Sequence, residues 1–96
     1  MAQVARSIDI DVDWLLDFLS REWGNVSCVA SAWPTMDQES RLDYLSEWPI
    51  TESYGEVLQD AVSRGLLNRA QLLRYQELLT VIDEARPTIS NLLALG

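Results

Sequence analysis

Histidine is absent from this chain of 96 residues, and cysteine occurs once, at Cys28. Without histidine, the chain lacks the usual acid–base group near neutral pH and the usual partner of a serine or cysteine nucleophile. A zinc site needs several cysteine and histidine ligands, which one cysteine does not supply. A lone cysteine also forms no internal disulfide. This fits a reducing compartment, and we therefore expect a cytoplasmic protein.

Glycine, proline and basic residues are scarce as well. The four glycines stand isolated, so the chain has no phosphate-binding glycine loop, and it has no basic stripe suited to nucleic acid. No apolar run approaches the roughly 20 residues that cross a bilayer, and the N-terminus lacks the apolar core of a secretion signal. These absences predict a protein that is not an enzyme, holds no cofactor and enters no membrane.

Three aspartates near the N-terminus are spaced like the first ligands of a calcium-binding loop. They are Asp9, Asp11 and Asp13. Such a loop needs a glycine for its sharp turn and a glutamate at its twelfth position, but Trp14 and Ser20 stand there. We predict no metal site, and instead expect Asp9 or Asp11 to cap the first helix.

Apolar residues make up 48% of the chain, and they recur at the spacing of amphipathic helices. The length is that of a single domain, residues 1–96, in which residues 1–8 form a loose leader. The clearest pattern lies in residues 51–86, which predict two antiparallel helices. Gly65 is placed to end the first of them, and Asn68 with Gln71 forms a capping box for the second. The second helix has a wide apolar face, which we expect the N-terminal helices of the same chain to cover.

The remaining segments also favour helices. A first helix is expected from about Val12 to Trp23, a helical turn over residues 26–33, and a third helix that starts with a capping box at Thr35 and ends near Trp48. Pro49 either breaks the chain there or opens the next helix, and after Pro87 a last short helix either extends its predecessor or kinks away from it. The predicted fold is all-α: a small bundle of four to five helices built around the C-terminal antiparallel αα-hairpin.

Charge is unevenly distributed along the chain. The net charge is −8; residues 1–60 carry twelve acidic residues against three arginines, whereas residues 61–96 carry three acidic residues against four arginines. An acidic surface repels phosphate backbones and anionic membranes. We therefore predict no direct nucleic-acid or membrane contact, and a basic protein as the partner.

The acidic residues fall into three rows at helical i, i+4, i+8 spacing. Like charges at this spacing destabilise a helix by roughly 0.2–0.5 kcal/mol per pair, so a cationic partner that neutralises them is one interpretation and plain solvation is the other. Arg21 continues the first row, and we expect the other two rows to lack a compensating cation. The rows are Asp9/Asp13/Asp17, Glu39/Asp43/Glu47 and Glu52/Glu56/Asp60.

Trp14 and Phe18 form an i,i+4 aromatic pair beside the core face of the first helix, flanked by Asp13 and Asp17. A buried aromatic anchor often dominates a protein interface, and we predict this role for the pair. The alternative is that both rings pack under residues 26–33. The resulting hypothesis is a small acidic protein-binding module, either an inhibitor of the antitoxin or immunity-protein kind or an accessory subunit.

Two other functions fit the same sequence. One is a self-associating structural subunit, such as a homodimer, that uses the apolar face of the hairpin around Leu78 and Ile82. The other is an inhibitor that mimics DNA, which requires carboxylates at phosphate-like spacing across several helices.

Overall fold

The computed structural model describes residues 11–95, which form helices and no strand. In chain order these are α1 (Val12–Gly24), α2 (Val26–Ala32), a 3-10 turn (Trp33–Thr35), α3 (Gln38–Ser63) and α4 (Arg69–Leu95). The predicted all-α class is confirmed. The predicted leader over residues 1–8 and the possible cap Asp9 lie outside the described residues.

Helix α1 begins as predicted. The side chain of Asp11 accepts a hydrogen bond from the backbone N–H of Trp14 at 3.0 Å, which satisfies one of the free donors at a helix start. The predicted core face of this helix is buried, and it consists of Val12, Leu15, Leu16, Leu19 and Trp23.

The predicted number of four to five bundle helices is too high. The bundle rests on three long helices, α1, α3 and α4, while the seven-residue α2 is a short connection. Pro49 lies inside α3 and Pro87 inside α4, and neither ends its helix. Both prolines are exposed, so water can hydrate the carbonyl that each leaves without its helical donor. Buried residues lie on both sides of each proline: Trp48 and Leu58 around Pro49, and Leu78 and Ile89 around Pro87.

The start of α3 also differs from the prediction. Thr35 belongs to the 3-10 turn, and its hydroxyl donates to the carbonyl of Ala32 at 2.8 Å. Asp37 is the N-cap, because its carboxylate accepts from the backbone N–H of Ser40 at 2.8 Å. This hydrogen bond lowers the pKa of the Asp37 carboxyl, since it favours the charged form.

The connection between α3 and α4 follows the sequence signals closely. Gly65 has φ 72°, and the backbone N–H groups of Gly65 and Leu66 bond back to Val62 and Ala61, which is the Schellman arrangement. Asn68 and Gln71 then exchange reciprocal hydrogen bonds of 2.9 and 2.8 Å, as a capping box should. The short connection makes α3 and α4 antiparallel, as predicted.

The two helices of this hairpin nevertheless do not pack closely against each other. Helices α3 and α4 touch each other little, and α1 packs between them, with its largest contact to α4 and the next to α3. Pairings along α1 show that it runs parallel to α4 and antiparallel to α3. The wide apolar face of α4 is therefore covered by α1 of the same chain, as expected.

Tryptophan side chains fill the core near the C-terminal end of α1. The rings of Trp23 and Trp48 meet edge to face with centroids 4.9 Å apart. The indole N–H of Trp48 donates to Glu52 at 2.9 Å. Arg86 of α4 binds the same carboxylate at 2.7 Å and places its guanidinium 4.6 Å from the Trp23 ring. One polar bridge thus ties all three long helices together.

The central position of α1 makes its leucines the main determinants of stability. Leu16 is 0% exposed, whereas Leu73 on α4 is 58% exposed. We predict that Leu16→Ala lowers the free energy of unfolding by about 2–5 kcal/mol, because it opens a cavity between α3 and α4. The matched change Leu73→Ala should alter it by less than about 0.5 kcal/mol. Urea unfolding followed by circular dichroism measures both values, and equal losses would contradict the central role of α1.

Candidate functional site

One flank of α1 faces α3 with two aromatic rings. Trp14 and Phe18 are one helical turn apart, and their rings stack with centroids 5.1 Å apart. Both rings meet Tyr54 of α3 edge to face, at 5.3 and 5.2 Å. Trp14 remains 46% exposed. The predicted pair is thus brought together at the surface on α3, rather than under residues 26–33.

Apolar side chains of α3 extend this aromatic pair. Ile50, Tyr54 and Val57 follow at i, i+4 and i+7 and form one stripe, in which Ile50 and Val57 are exposed. Phe18 and Ile50 line the same cavity. We call the resulting surface the aromatic face. It consists of Trp14, Phe18, Ile50, Tyr54 and Val57.

The described acids of the first row are exposed, but both already contact side chains of α4. Asp13 accepts a hydrogen bond from the side chain of Gln71 at 3.0 Å, and Asp17 pairs with Arg74 at 2.6 Å. Both contacts reach α4, on the flank of α1 that lies away from the aromatic face. These two carboxylates therefore position α1 against α4, and Asp9 of the same row lies outside the described residues.

The third acidic row is partly neutralised, which corrects the prediction that it lacks compensating cations. Glu52 is half-buried and binds Arg86 and Trp48, because the splayed hairpin brings α4 within reach of it. Asp60 pairs with Arg64 one turn later, at 3.3 Å. Glu56 is exposed and forms no ion pair within residues 11–95.

The second acidic row behaves differently. Glu39, Asp43 and Glu47 are all exposed, and none of them forms an ion pair in the part of the chain that the structure describes. The cation nearest in sequence, Arg41, instead donates two hydrogen bonds to the carbonyl of Trp33, at 2.9 and 2.6 Å. Three carboxylates are left uncompensated on the first half of α3.

This second row is continuous with the aromatic face. Glu47 lies one turn before Ile50 on the same side of α3, and both residues line the cavity that also holds Phe18. On α1, Glu22 borders the same cavity and lies one turn after Phe18. The structure thus places apolar rings and uncompensated carboxylates side by side across the α1–α3 seam.

Four residues of this surface are not among the site residues predicted from the sequence: Ile50, Tyr54, Val57 and Glu22. A signal for the first three is present in the sequence, because on a helical wheel Ile50, Tyr54 and Val57 lie to one side of buried Leu58. Glu22 carried no such signal, because its role comes from a residue of another helix.

Tyr44 lies beside this surface and has an unusual hydroxyl. Its ring packs on Trp48 with centroids 5.8 Å apart, and its buried hydroxyl has no hydrogen-bond partner among the described residues. Burial, and to a lesser extent the negative charge of Glu22, raises the pKa of Tyr44 to about 12. Such a group favours protein stability only while it remains protonated.

Other kinds of site have little support within residues 11–95. No three potential metal ligands of the carboxylate or cysteine type lie together there. Cys28 is a free, exposed thiol. No helix in this range is both long and apolar enough to cross a membrane. The aromatic face with its neighbouring acids is therefore the surface with the most distinctive chemistry.

Comparison of the chain with family models, curated proteins and solved structures finds no match.

The buried hydroxyl of Tyr44 predicts that the stability of the folded state depends on pH in the alkaline range. The ordinary tyrosine pKa near 10 applies to the unfolded chain and about 12 to the folded one. The folded state therefore keeps its full stability below pH 10 and loses part of it as the pH rises from 10 to 12. We predict that Tyr44→Phe reduces this loss and raises the free energy of unfolding at pH 7 by about 1 kcal/mol.

Urea unfolding at a series of pH values from 7 to 12 measures both effects. Tyr75→Phe is the matched control, because Tyr44 is the tyrosine whose buried hydroxyl lacks a partner in the described region. An alkaline loss of stability that is the same in wild type and Tyr44→Phe would contradict this assignment.

Proposed function

We propose that this chain is a small acidic protein-binding module that engages a basic protein through the α1–α3 surface. The observation that supports it best is the continuity of the aromatic face with three uncompensated carboxylates on one side of α3. The partner's function would be inhibited or supported by this contact, as with a toxin held inactive or a complex joined by an accessory subunit. No catalytic role is part of the proposal.

The charges act first in the proposed mechanism. A row of uncompensated carboxylates attracts a basic surface over a distance of about one Debye length, roughly 8 Å in physiological salt. Such charges mainly accelerate association and select against acidic partners. Glu39, Asp43 and Glu47 have this role, whereas Asp13, Asp17, Glu52 and Asp60 already hold contacts within the protein.

The aromatic rings then supply the anchor. Trp14 is half exposed, and its ring is held in place by contacts with Phe18 and Tyr54. A ring that is already positioned loses little conformational freedom on binding, which favours affinity. Truncation of a central tryptophan in an interface commonly costs about 2 kcal/mol or more.

The charged row provides a matched test of this proposal. The partner is first identified by affinity capture from the source organism and mass spectrometry, and its binding is then measured with purified proteins at several salt concentrations. We predict that Glu39→Gln/Asp43→Asn/Glu47→Gln slows association and reduces its salt dependence. The control Glu77→Gln/Asp83→Asn/Glu84→Gln removes the same three charges from α4 and should leave association nearly unchanged.

Trp14→Ala should weaken binding of this partner by roughly 30-fold or more, mainly through faster dissociation. Leu73→Ala serves as the control for loss of an exposed apolar side chain. Equal effects of the two charge variants, or an unchanged affinity of Trp14→Ala, would contradict the proposed surface.

Self-association is the second candidate function, and one observation favours it. Leu78 is buried against the chain's own core, but Leu72 and Leu79 remain exposed on the neighbouring strip of α4, and Leu79 and Ile82 line an open groove between α3 and α4. A second copy would bury these side chains. Sedimentation of the purified chain distinguishes the candidates: under the first proposal it is monomeric, and under the second Leu79→Glu dissociates an oligomer.

The third alternative, mimicry of DNA, has no observation in its favour. It requires several free rows of carboxylates, and the described acids of two of the three rows are largely held by arginine, glutamine or tryptophan side chains.

A further inference from the structure

We infer that the cavity between α1 and α3 is the receptor for one guanidinium side chain of the basic partner. This inference rests on the proposed function, because it specifies which group of a basic protein the surface recognises. The cavity is about 250 Å³ in volume, and its lining combines apolar and acidic side chains from both helices: Phe18, Glu22, Glu47, Ile50 and Thr51. A water molecule occupies about 30 Å³, so one extended side chain fits.

The walls of the cavity match the two parts of an arginine side chain. Phe18 and Ile50 offer apolar surface against which the aliphatic stem can lie. Glu22 and Glu47 come from different helices and present two carboxylates to the head group. A planar guanidinium binds carboxylates with several donors at once, which a compact ammonium does not.

Thr51 adds a hydroxyl to the lining of the cavity. Thr51 is only 3% exposed and lines the cavity. A hydroxyl oxygen can accept hydrogen bonds, and guanidinium carries donors only. An arginine head in the cavity could therefore donate to this hydroxyl as well as to the carboxylates.

The electrostatics of the cavity favour a cation. Glu22 has one weak contact, with Arg21 at 3.9 Å, and Glu47 pairs with no cation of the described chain. The guanidinium of Arg21, which is not among the residues that line the cavity, lies 5.8 Å from the centroid of the Phe18 ring. A guanidinium can therefore contact this ring by a cation–π interaction.

A metal ion is a poorer match for the same residues. Calcium takes six to eight oxygen ligands, and magnesium requires nearly octahedral oxygen coordination. Two of the five lining residues are apolar, so the cavity lacks enough oxygen ligands around one point. The experiment below nevertheless includes magnesium as a separate probe.

The test uses N-acetyl-arginine amide as the probe and NMR of the full chain as the readout. At constant ionic strength we expect saturable shifts of the Ile50 and Thr51 signals with a dissociation constant that is roughly millimolar, as one side chain allows. N-acetyl-citrulline amide has nearly the same shape without the charge and should bind at least tenfold more weakly. N-acetyl-lysine amide should bind more weakly than the arginine probe, and magnesium chloride should not compete.

Variants then assign the interaction to the cavity. Glu22→Gln/Glu47→Gln should weaken binding of the arginine probe about tenfold, whereas the matched control Glu77→Gln/Glu84→Gln should not. Thr51→Val keeps the shape of the side chain and should also weaken the probe without loss of the folded circular dichroism spectrum. Equal binding of citrulline, unchanged binding by both cavity variants, or displacement by magnesium would overturn the inference.

The result is separable from the test of the proposed function. Glu22 belongs to the cavity but not to the charged row, so Glu22→Gln tests the cavity with the identified partner. If the partner depends on Trp14 and on the charged row but is indifferent to Glu22→Gln and Thr51→Val, the proposed function stands and the cavity inference fails. If the arginine probe binds but no basic partner does, the cavity inference stands and the proposed function fails.

Discussion

The burial of α1 between the two arms of the hairpin is the contact on which the rest of the structure depends. Helices α3 and α4 meet only slightly, so neither arm can cover the apolar face of the other. Leu15, Leu16 and Leu19 fill the space between them. Hydrophobic burial scales with the apolar area removed from water. Five of the buried core residues come from this one helix of 13 residues: Val12, Leu15, Leu16, Leu19 and Trp23.

Because α1 lies between α3 and α4, its two flanks make different kinds of contact. The flank that carries Asp13 and Asp17 meets α4 through polar contacts, and these fix the register of the two helices. The flank that carries Trp14 and Phe18 meets α3 through rings that are only partly covered. The packing of α1 against α3 therefore by itself creates a surface on which positioned aromatic rings lie beside uncompensated acids. No further helix or loop is required to form it.

Local signals in the sequence predicted local structure well. The cap at Asp11, the turn at Gly65 and the reciprocal contact of Asn68 with Gln71 all depend on residues within one helical turn, and all are present. Pro49 misled the prediction, because whether a proline ends a helix depends on the packing on both sides of it and on solvent access to the freed carbonyl.

Only part of the candidate site could be predicted from the sequence, because the rest depends on packing between helices. The aromatic pair and the second acidic row were visible in the sequence, since each repeats at the helical period. The arginines that neutralise Asp17 and Glu52 are 57 and 34 residues away, and no periodic pattern indicates such pairs. Which carboxylates remain uncompensated, and that Glu22 joins them at a cavity, follows only from the packing of separate helices.

The distant contacts of α1 also determine when the chain can become a folded protein during its synthesis. Helix α1 precedes its partners along the chain: Gln71 and Arg74 follow Asp13 and Asp17 by 58 and 57 residues, and Arg86 comes later still. A ribosome that adds about 5–20 residues per second therefore holds an exposed leucine-rich helix for several seconds before its groove is complete. During that interval the apolar face of α1 lacks the cover of α4, and exposed apolar surface of this kind is prone to aggregation.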